Sequence, residues 1–165
     1  MFPPFFMLPL GFIIFPYLIL LLLKNIYVST LVNLFFKGFC FGFGFLVIYL
    51  VWIYNPFRVY ESTRPFAIIA ILLPIFLSVF FGLCFLIYKY FKKPIHVILI
   101  TPFIFTLNEF LISNFLYGFP WISNSLMLSN NILGFYLIKY SGTLTSGYLI
   151  ILIFLLPALL LKKIK

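Results

Sequence analysis

Five long apolar runs, at about 8–23, 32–54, 66–90, 95–116 and 144–161, occupy most of this chain, and ten of its thirteen charged residues lie outside them. About 20 consecutive apolar residues cross the hydrocarbon core of a bilayer as a helix, the one single-segment form that bonds its own backbone polar groups there. Hydrophobic residues make up 65% of the 165 residues and charged residues 8%, against roughly 25% charged in a soluble domain. No water-soluble core of this size hides so much apolar surface. The sequence therefore predicts an all-α fold, a polytopic integral membrane helix bundle with about five transmembrane helices. It reads as a single membrane domain over residues 1–165 with no separate soluble domain.

The positions of the cations set the topology. The net charge of +9 is no nucleic-acid face, because the basic residues sit at the ends of apolar runs and form no stripe. With the Lys165 end in the cytoplasm, Lys24, Lys37, Lys89, Lys92, Lys93, Lys162, Lys163 and Lys165 all fall inside, and only Arg58, Arg64 and Lys139 fall outside. That is the positive-inside bias. It predicts a multi-pass protein of a bacterial inner (cytoplasmic) membrane, with a cytoplasmic C-terminus and a periplasmic loop at Gly118–Trp121. The N-terminus lacks the basic n-region of a cleavable signal.

Several residues stand apart from this background. Gly38 and Gly42 share one face of the second run, a spacing that lets two helix backbones approach closely. Trp52 and Tyr54 close that run as an aromatic belt would. The polar loop 55–65 follows, in which Arg58, Glu61 and Arg64 are spaced to pair on one helical turn; a solvated loop and a phospholipid-headgroup contact are both open for it. Thr106, Glu109 and Ser113 form a polar stripe on the fourth run. Glu109 lies roughly 10 Å deep at 1.5 Å per residue. A carboxyl at that depth is costly, so it marks either a functional site or an interhelical hydrogen bond that fixes packing. The fourth run ends at Gly118-Phe119-Pro120-Trp121. Within the following stretch 117–143, residues 132–140 read as a short amphipathic helix lying in the interface.

Other features point away from chemistry. Cys40 and Cys84 lie inside apolar runs without a second Cys or a His at ligand spacing, so they read as buried structural thiols. No metal site and no cofactor is expected. His96, beside Lys92 and Lys93, reads as a capping or snorkelling residue. No side chain placed to activate either cysteine is evident, so the chain by itself lacks the groups to make an acyl-enzyme.

Two motifs carry a resemblance. The segment Gly38-Phe39-Cys40-Phe41-Gly42-Phe43-Gly44 with Trp52 resembles the glycine-aromatic helix of apolipoprotein N-acyltransferases. Glu109-Phe110-Leu111 through Gly118-Phe119-Pro120-Trp121 resembles their Glu-Phe-Leu-Arg and Gly-Phe-Pro-Trp segment, and Phe2-Pro3-Pro4 resembles the end of their first helix. Ile112 stands where the family usually has Arg, and Asn124-Ser125-Leu126 where it usually has a Gly-Tyr-Ser-like turn. The resemblance implies the N-terminal membrane domain of an enzyme that moves an acyl chain from a membrane phospholipid to a diacylglyceryl lipoprotein. In that family the catalytic Glu, Lys and Cys belong to a nitrilase-like domain, expected here in cis or adjacent. Nothing in this chain matches that domain, so no residue here is assigned as catalytic, and the stretch is expected to be a fragment inactive alone. The resemblance gives it the task of anchoring the catalytic domain and framing the lipid entrance. Gly118, Phe119, Pro120, Trp121 and Arg58 would then contact or gate lipid, while Thr106, Glu109, Ser113, Gly38 and Gly42 would serve intramembrane packing. The alternative is a small non-enzymatic polytopic protein, a scaffold or transporter component. Only Glu109 and its stripe suggest a permeation path, and neither an internal repeat nor paired broken helices appear.

Overall fold

The computed structural model describes residues 8–24, 30–115 and 122–160. Among them the structure is helical throughout apart from short turns, and no strand occurs. Seven α-helices follow in order: α1 (Gly11–Lys24), α2 (Leu31–Tyr49), α3 (Pro56–Val59), α4 (Ile69–Phe85), α5 (Pro94–Asn114), α6 (Ile132–Ser141) and α7 (Thr143–Leu160). Stretches of 3-10 helix extend several of them, notably Glu61–Ile68 before α4, Leu86–Tyr90 after it, and Asn124–Leu128 before α6. Among the described residues, three helical segments are long and apolar enough to cross a membrane: Leu31–Tyr49, Glu61–Tyr90 and Pro94–Asn114. Two further apolar helices, α1 and α7, are shorter. This is the all-helical membrane class that the apolar runs dictate.

Local chemistry explains the helix ends. Thr30 caps α2, its hydroxyl accepting from the Asn33 N–H at 3.2 Å, which satisfies one of the orphan donors of the first turn. Asn131 does the same for α6 through the Leu133 N–H at 3.0 Å. Pro56 and Pro94 open α3 and α5, where a missing N–H costs nothing. Pro16, Pro74, Pro102 and Pro157 lie inside helices, a placement that membrane helices tolerate when neighbours absorb the freed carbonyls.

The chain divides into two compact units, Thr30–Leu86 and the combination of Met1–Ser29 with Ile87–Lys165. In the Thr30–Leu86 unit, α2 packs along α4 through small residues facing large ones. A Cβ on Gly38 would lie 2.6 Å from the Phe81 carbonyl oxygen and from the Phe85 ring, and one on Gly42 would lie 2.6 Å from Phe81. The match is reciprocal, because Gly82 of α4 lies under the Phe35 ring of α2, at 2.6 Å from the same hypothetical atom. Phe41 then stacks on Phe85 with centroids 5.9 Å apart, and Phe45 meets Phe81 at 6.0 Å. Backbones this close gain dispersion contacts that lipid tails cannot match.

Cys40 departs from expectation. Cys84 is buried, but Cys40 is exposed. At about 100° per residue, position 40 lies on nearly the opposite side of α2 from Gly38 and Gly42, so the face that buries the glycines turns Cys40 outward.

In the second unit, α5 packs beside α7 and α1 packs against α7. Phe15 of α1 meets Phe105 of α5 at 5.4 Å and Phe154 of α7 at 5.8 Å. Gly11 gives way to Phe154, whose ring a Cβ there would meet at 2.6 Å. At the entry to α5, the fully buried Tyr88 hydroxyl and Thr101 Oγ1 share a hydrogen bond of 2.8 Å, and Thr101 donates to the Val97 carbonyl at 2.7 Å.

Candidate functional site

The polar centre of the second unit forms around Glu109. The helical period of α5 puts Thr101, Phe105, Asn108, Glu109 and Ile112 on its buried side, and Glu109 is only 4% exposed. Its carboxyl is held by the turn that follows α5. Ser123 Oγ donates to Oε1 at 2.8 Å, the Asn124 backbone N–H donates to Oε2 at 2.9 Å, and Asn124 Nδ2 donates to the same oxygen at 2.8 Å. Ser123 and Ser125 share a further bond of 2.8 Å. Three neutral donors from two adjacent residues thus close on one carboxyl, and the result is a clasp between α5 and the 3-10 turn Asn124–Leu128.

α7 closes the clasp from the other side. A Cβ on Gly147 would stand 3.0 Å from Asn124 Cβ and 3.4 Å from Glu109 Oε2. Bare backbone at this position is what lets α7 lie against the carboxyl and exclude water. A second polar knot lies at the start of α7, where Ser146, with no exposed surface, bonds Ser141 Oγ at 3.0 Å and donates to the Gly142 carbonyl at 2.6 Å.

Chemically, the clasp joins α5 to the following turn through hydrogen bonds. Every bond to Glu109 comes from a neutral donor on the same turn, and Ser123 can donate to the carboxyl or, by rotating toward Ser125, accept from it. The network is therefore satisfied by a carboxylate, by a neutral acid or by an amide. Near Glu109, Asn108 is 3% exposed and its Oδ1 has no hydrogen-bond partner among the described residues.

The stripe Thr106–Glu109–Ser113 does not act as one network. Thr106 donates back to the Pro102 carbonyl at 2.9 Å and Ser113 to the Phe110 carbonyl at 3.1 Å, both common local bonds of hydroxyls within helices. Glu109 alone reaches a partner element. Gly38 and Gly42 lie in the other unit, at the α2–α4 contact already described. Arg58 is exposed in α3, its guanidinium 5.6 Å from the Tyr54 ring centre. The segment around it is tied by Thr63, which donates to the Phe57 and Tyr60 carbonyls at 3.2 and 3.0 Å, in place of the pairing of Arg58, Glu61 and Arg64 that their spacing suggests. Gly118, Phe119, Pro120 and Trp121 lie outside the described residues.

Sequence reasoning missed Ser123 and Asn124 as the partners of Glu109, Gly147 as the residue that closes over them, and the bonds of Tyr88 and Ser146. A signal for the first existed. Ser123-Asn124-Ser125 is a dense set of donors placed soon after the one acid of the fourth apolar run, and a buried carboxyl requires donors. Gly147 offered none, since its role is to be absent as a side chain.

No curated protein and no solved structure matches the chain. The family model for the apolipoprotein N-acyltransferase N-terminal domain matches residues 1–156 of the 165. With nearly the whole helical bundle inside that match, the chain belongs to the apolipoprotein N-acyltransferase N-terminal domain family.

Proposed function

We propose that this chain anchors a nitrilase-like acyltransferase domain, in cis or adjacent, at the outer leaflet of a bacterial inner membrane and frames the entrance by which phospholipid reaches it. The acyl chain then passes to a diacylglyceryl lipoprotein on the catalytic domain, whose groups supply the chemistry. The family match over residues 1–156 carries this reading. It draws support from the Glu109 clasp, which ties the turn at Ser123–Asn124 to α5. Trp121 and Phe119 contact acyl chains in this reading, and Arg58 meets a headgroup phosphate as a charge-assisted donor. The C-terminus is cytoplasmic and the Gly118–Trp121 loop periplasmic.

The test pairs the chain with such a catalytic domain in vesicles and follows N-acylation of a diacylglyceryl lipopeptide. Trp121→Ala is expected to abolish most acyl transfer while membrane insertion stays intact. Unchanged acylation would leave Trp121 as an interfacial belt residue. Full acylation by the catalytic domain without this chain would favour a non-enzymatic scaffold.

A further inference from the structure

We infer that the outward face of α6 is a binding surface for anionic phospholipid, with Lys139 taking the headgroup phosphate. The helix has 10 residues, about 15 Å at 1.5 Å per residue, which is half of the roughly 30 Å hydrocarbon core. It cannot cross a membrane. It is also fixed in place. Gly134 presses on the Leu128 carbonyl and side chain so closely that no Cβ fits, and Asn131 caps its start.

Its end is an elbow that only glycine makes readily. Gly142 has φ 80 and ψ 170, a region nearly closed to L side chains, and Ser141 and Ser146 bond each other across it at 3.0 Å. α6 therefore does not run on into α7 as one rod. It departs at a set angle.

What α6 turns outward is apolar and aromatic. Gly134 is buried, whereas Ile132 is 72% exposed, Leu133 75%, Phe135 58% and Tyr140 79%, with Tyr136 and Lys139 on the same side. The exposed Ser129 and Asn130 lie just before this helix. Tyr136 and Tyr140 stack with centroids 6.3 Å apart, and the Lys139 ammonium sits 5.5 Å from the Tyr140 ring centre. Amphipathic rings and a long cation beside large aliphatic groups match the boundary between acyl chains and headgroups.

Charge selects the lipid. The chain has eleven Lys and Arg against two acids, and one of those, Glu109, is enclosed by Ser123 and Asn124. The protein cannot neutralise its cations internally, and an anionic phospholipid supplies the missing charge at Lys139. The surface does not require the acyltransferase reading, since lipid can bind α6 whether or not any acyl chain is transferred.

The test uses the full chain in vesicles of phosphatidylcholine with and without phosphatidylglycerol. Trp52→Phe and Trp121→Phe remove both native indoles, and Tyr136→Trp places a single reporter on α6. Lipids brominated near the ester end should quench it more than lipids brominated near the methyl end, and phosphatidylglycerol should strengthen the quenching. Strongest quenching from the methyl-end bromines overturns the proposal, because α6 would then lie in the bilayer centre. Weak lipid quenching also overturns it, pointing to solvent if acrylamide quenches strongly and to a covering protein surface if it does not. Native mass spectrometry of the otherwise unaltered chain checks the charge independently of those substitutions. Lys139→Gln should reduce the preference for phosphatidylglycerol by about fivefold, the worth of one cation near an anionic surface. An unchanged preference removes Lys139 from the site.

Discussion

The two units of this protein hold their helices together by opposite means. In Thr30–Leu86, α2 and α4 meet through Gly38, Gly42 and Gly82 set against Phe81, Phe85 and Phe35. In the unit around α5 and α7, a carboxyl and the donors of Ser123 and Asn124 provide the link, with Gly147 making room for it. The difference follows from what lipid offers as a competitor. Apolar helices gain nothing from leaving lipid, so they associate only where they pack better on each other than on acyl chains. A buried carboxyl has no good partner in lipid at all, so its donors fix one arrangement by excluding the others.

The sharpest way to break the comparison is to remove the polar link. Glu109→Ala leaves the Ser123 hydroxyl and both Asn124 donors without their acceptor, and should cost about 3 kcal/mol by the cost of buried unmet groups. Steric trapping in bicelles measures it. Glu109→Gln should cost only about 1 kcal/mol, because the amide can accept from Asn124 and donate to Ser123. An equal loss in both variants would show that the negative charge, not the bond pattern, holds the turn.

The other unit should answer to volume and not to polarity. Gly38→Leu drives its side chain into the Phe81 backbone carbonyl, which cannot swing away, and should cost about 2–3 kcal/mol as overpacking does. Gly44 has nothing within 4 Å of a hypothetical Cβ, so Gly44→Ala should fall within about 0.5 kcal/mol of the native chain. A comparable loss at both positions would mean that the α2–α4 contact does not explain the glycines.

Gly147→Leu combines the two mechanisms, since excess volume would act there by prising Asn124 away from Glu109. We expect about 2 kcal/mol, together with faster hydrogen exchange at the Asn124 amide. Among the losses expected, a small one belongs to Tyr88→Phe, which removes the hydroxyl bonded to Thr101 and should cost about 0.6 kcal/mol, as single interhelical hydrogen bonds in membranes do.

The legibility of these features in the sequence differs for physical reasons. The helical membrane class followed directly from the apolar runs, because lipid leaves the backbone little choice. The closeness of Gly38 and Gly42 to a partner helix was readable from their spacing, although nothing in it named Phe81 and Phe85. Glu109 was visible as the costly residue of its run, yet its partners were not. The helical stripe directed attention to Thr106 and Ser113, and those hydroxyls bond their own helix. The donors came from a turn fourteen and fifteen residues on, where no helical period applies. Cys40 failed for a simpler reason, since an apolar run shows that a residue lies in the membrane but not which way it faces.

The central claim is that Glu109 and the Ser123–Asn124 turn form one energetic unit, and a double-mutant cycle between Glu109→Ala and Asn124→Ala tests it most directly. Contacting residues in one hydrogen-bond network should show a coupling of about 1–2 kcal/mol, against less than about 0.5 kcal/mol for Gly42→Ala paired with Asn124→Ala. Additive losses at Glu109 and Asn124 would contradict the account and reduce the clasp to proximity.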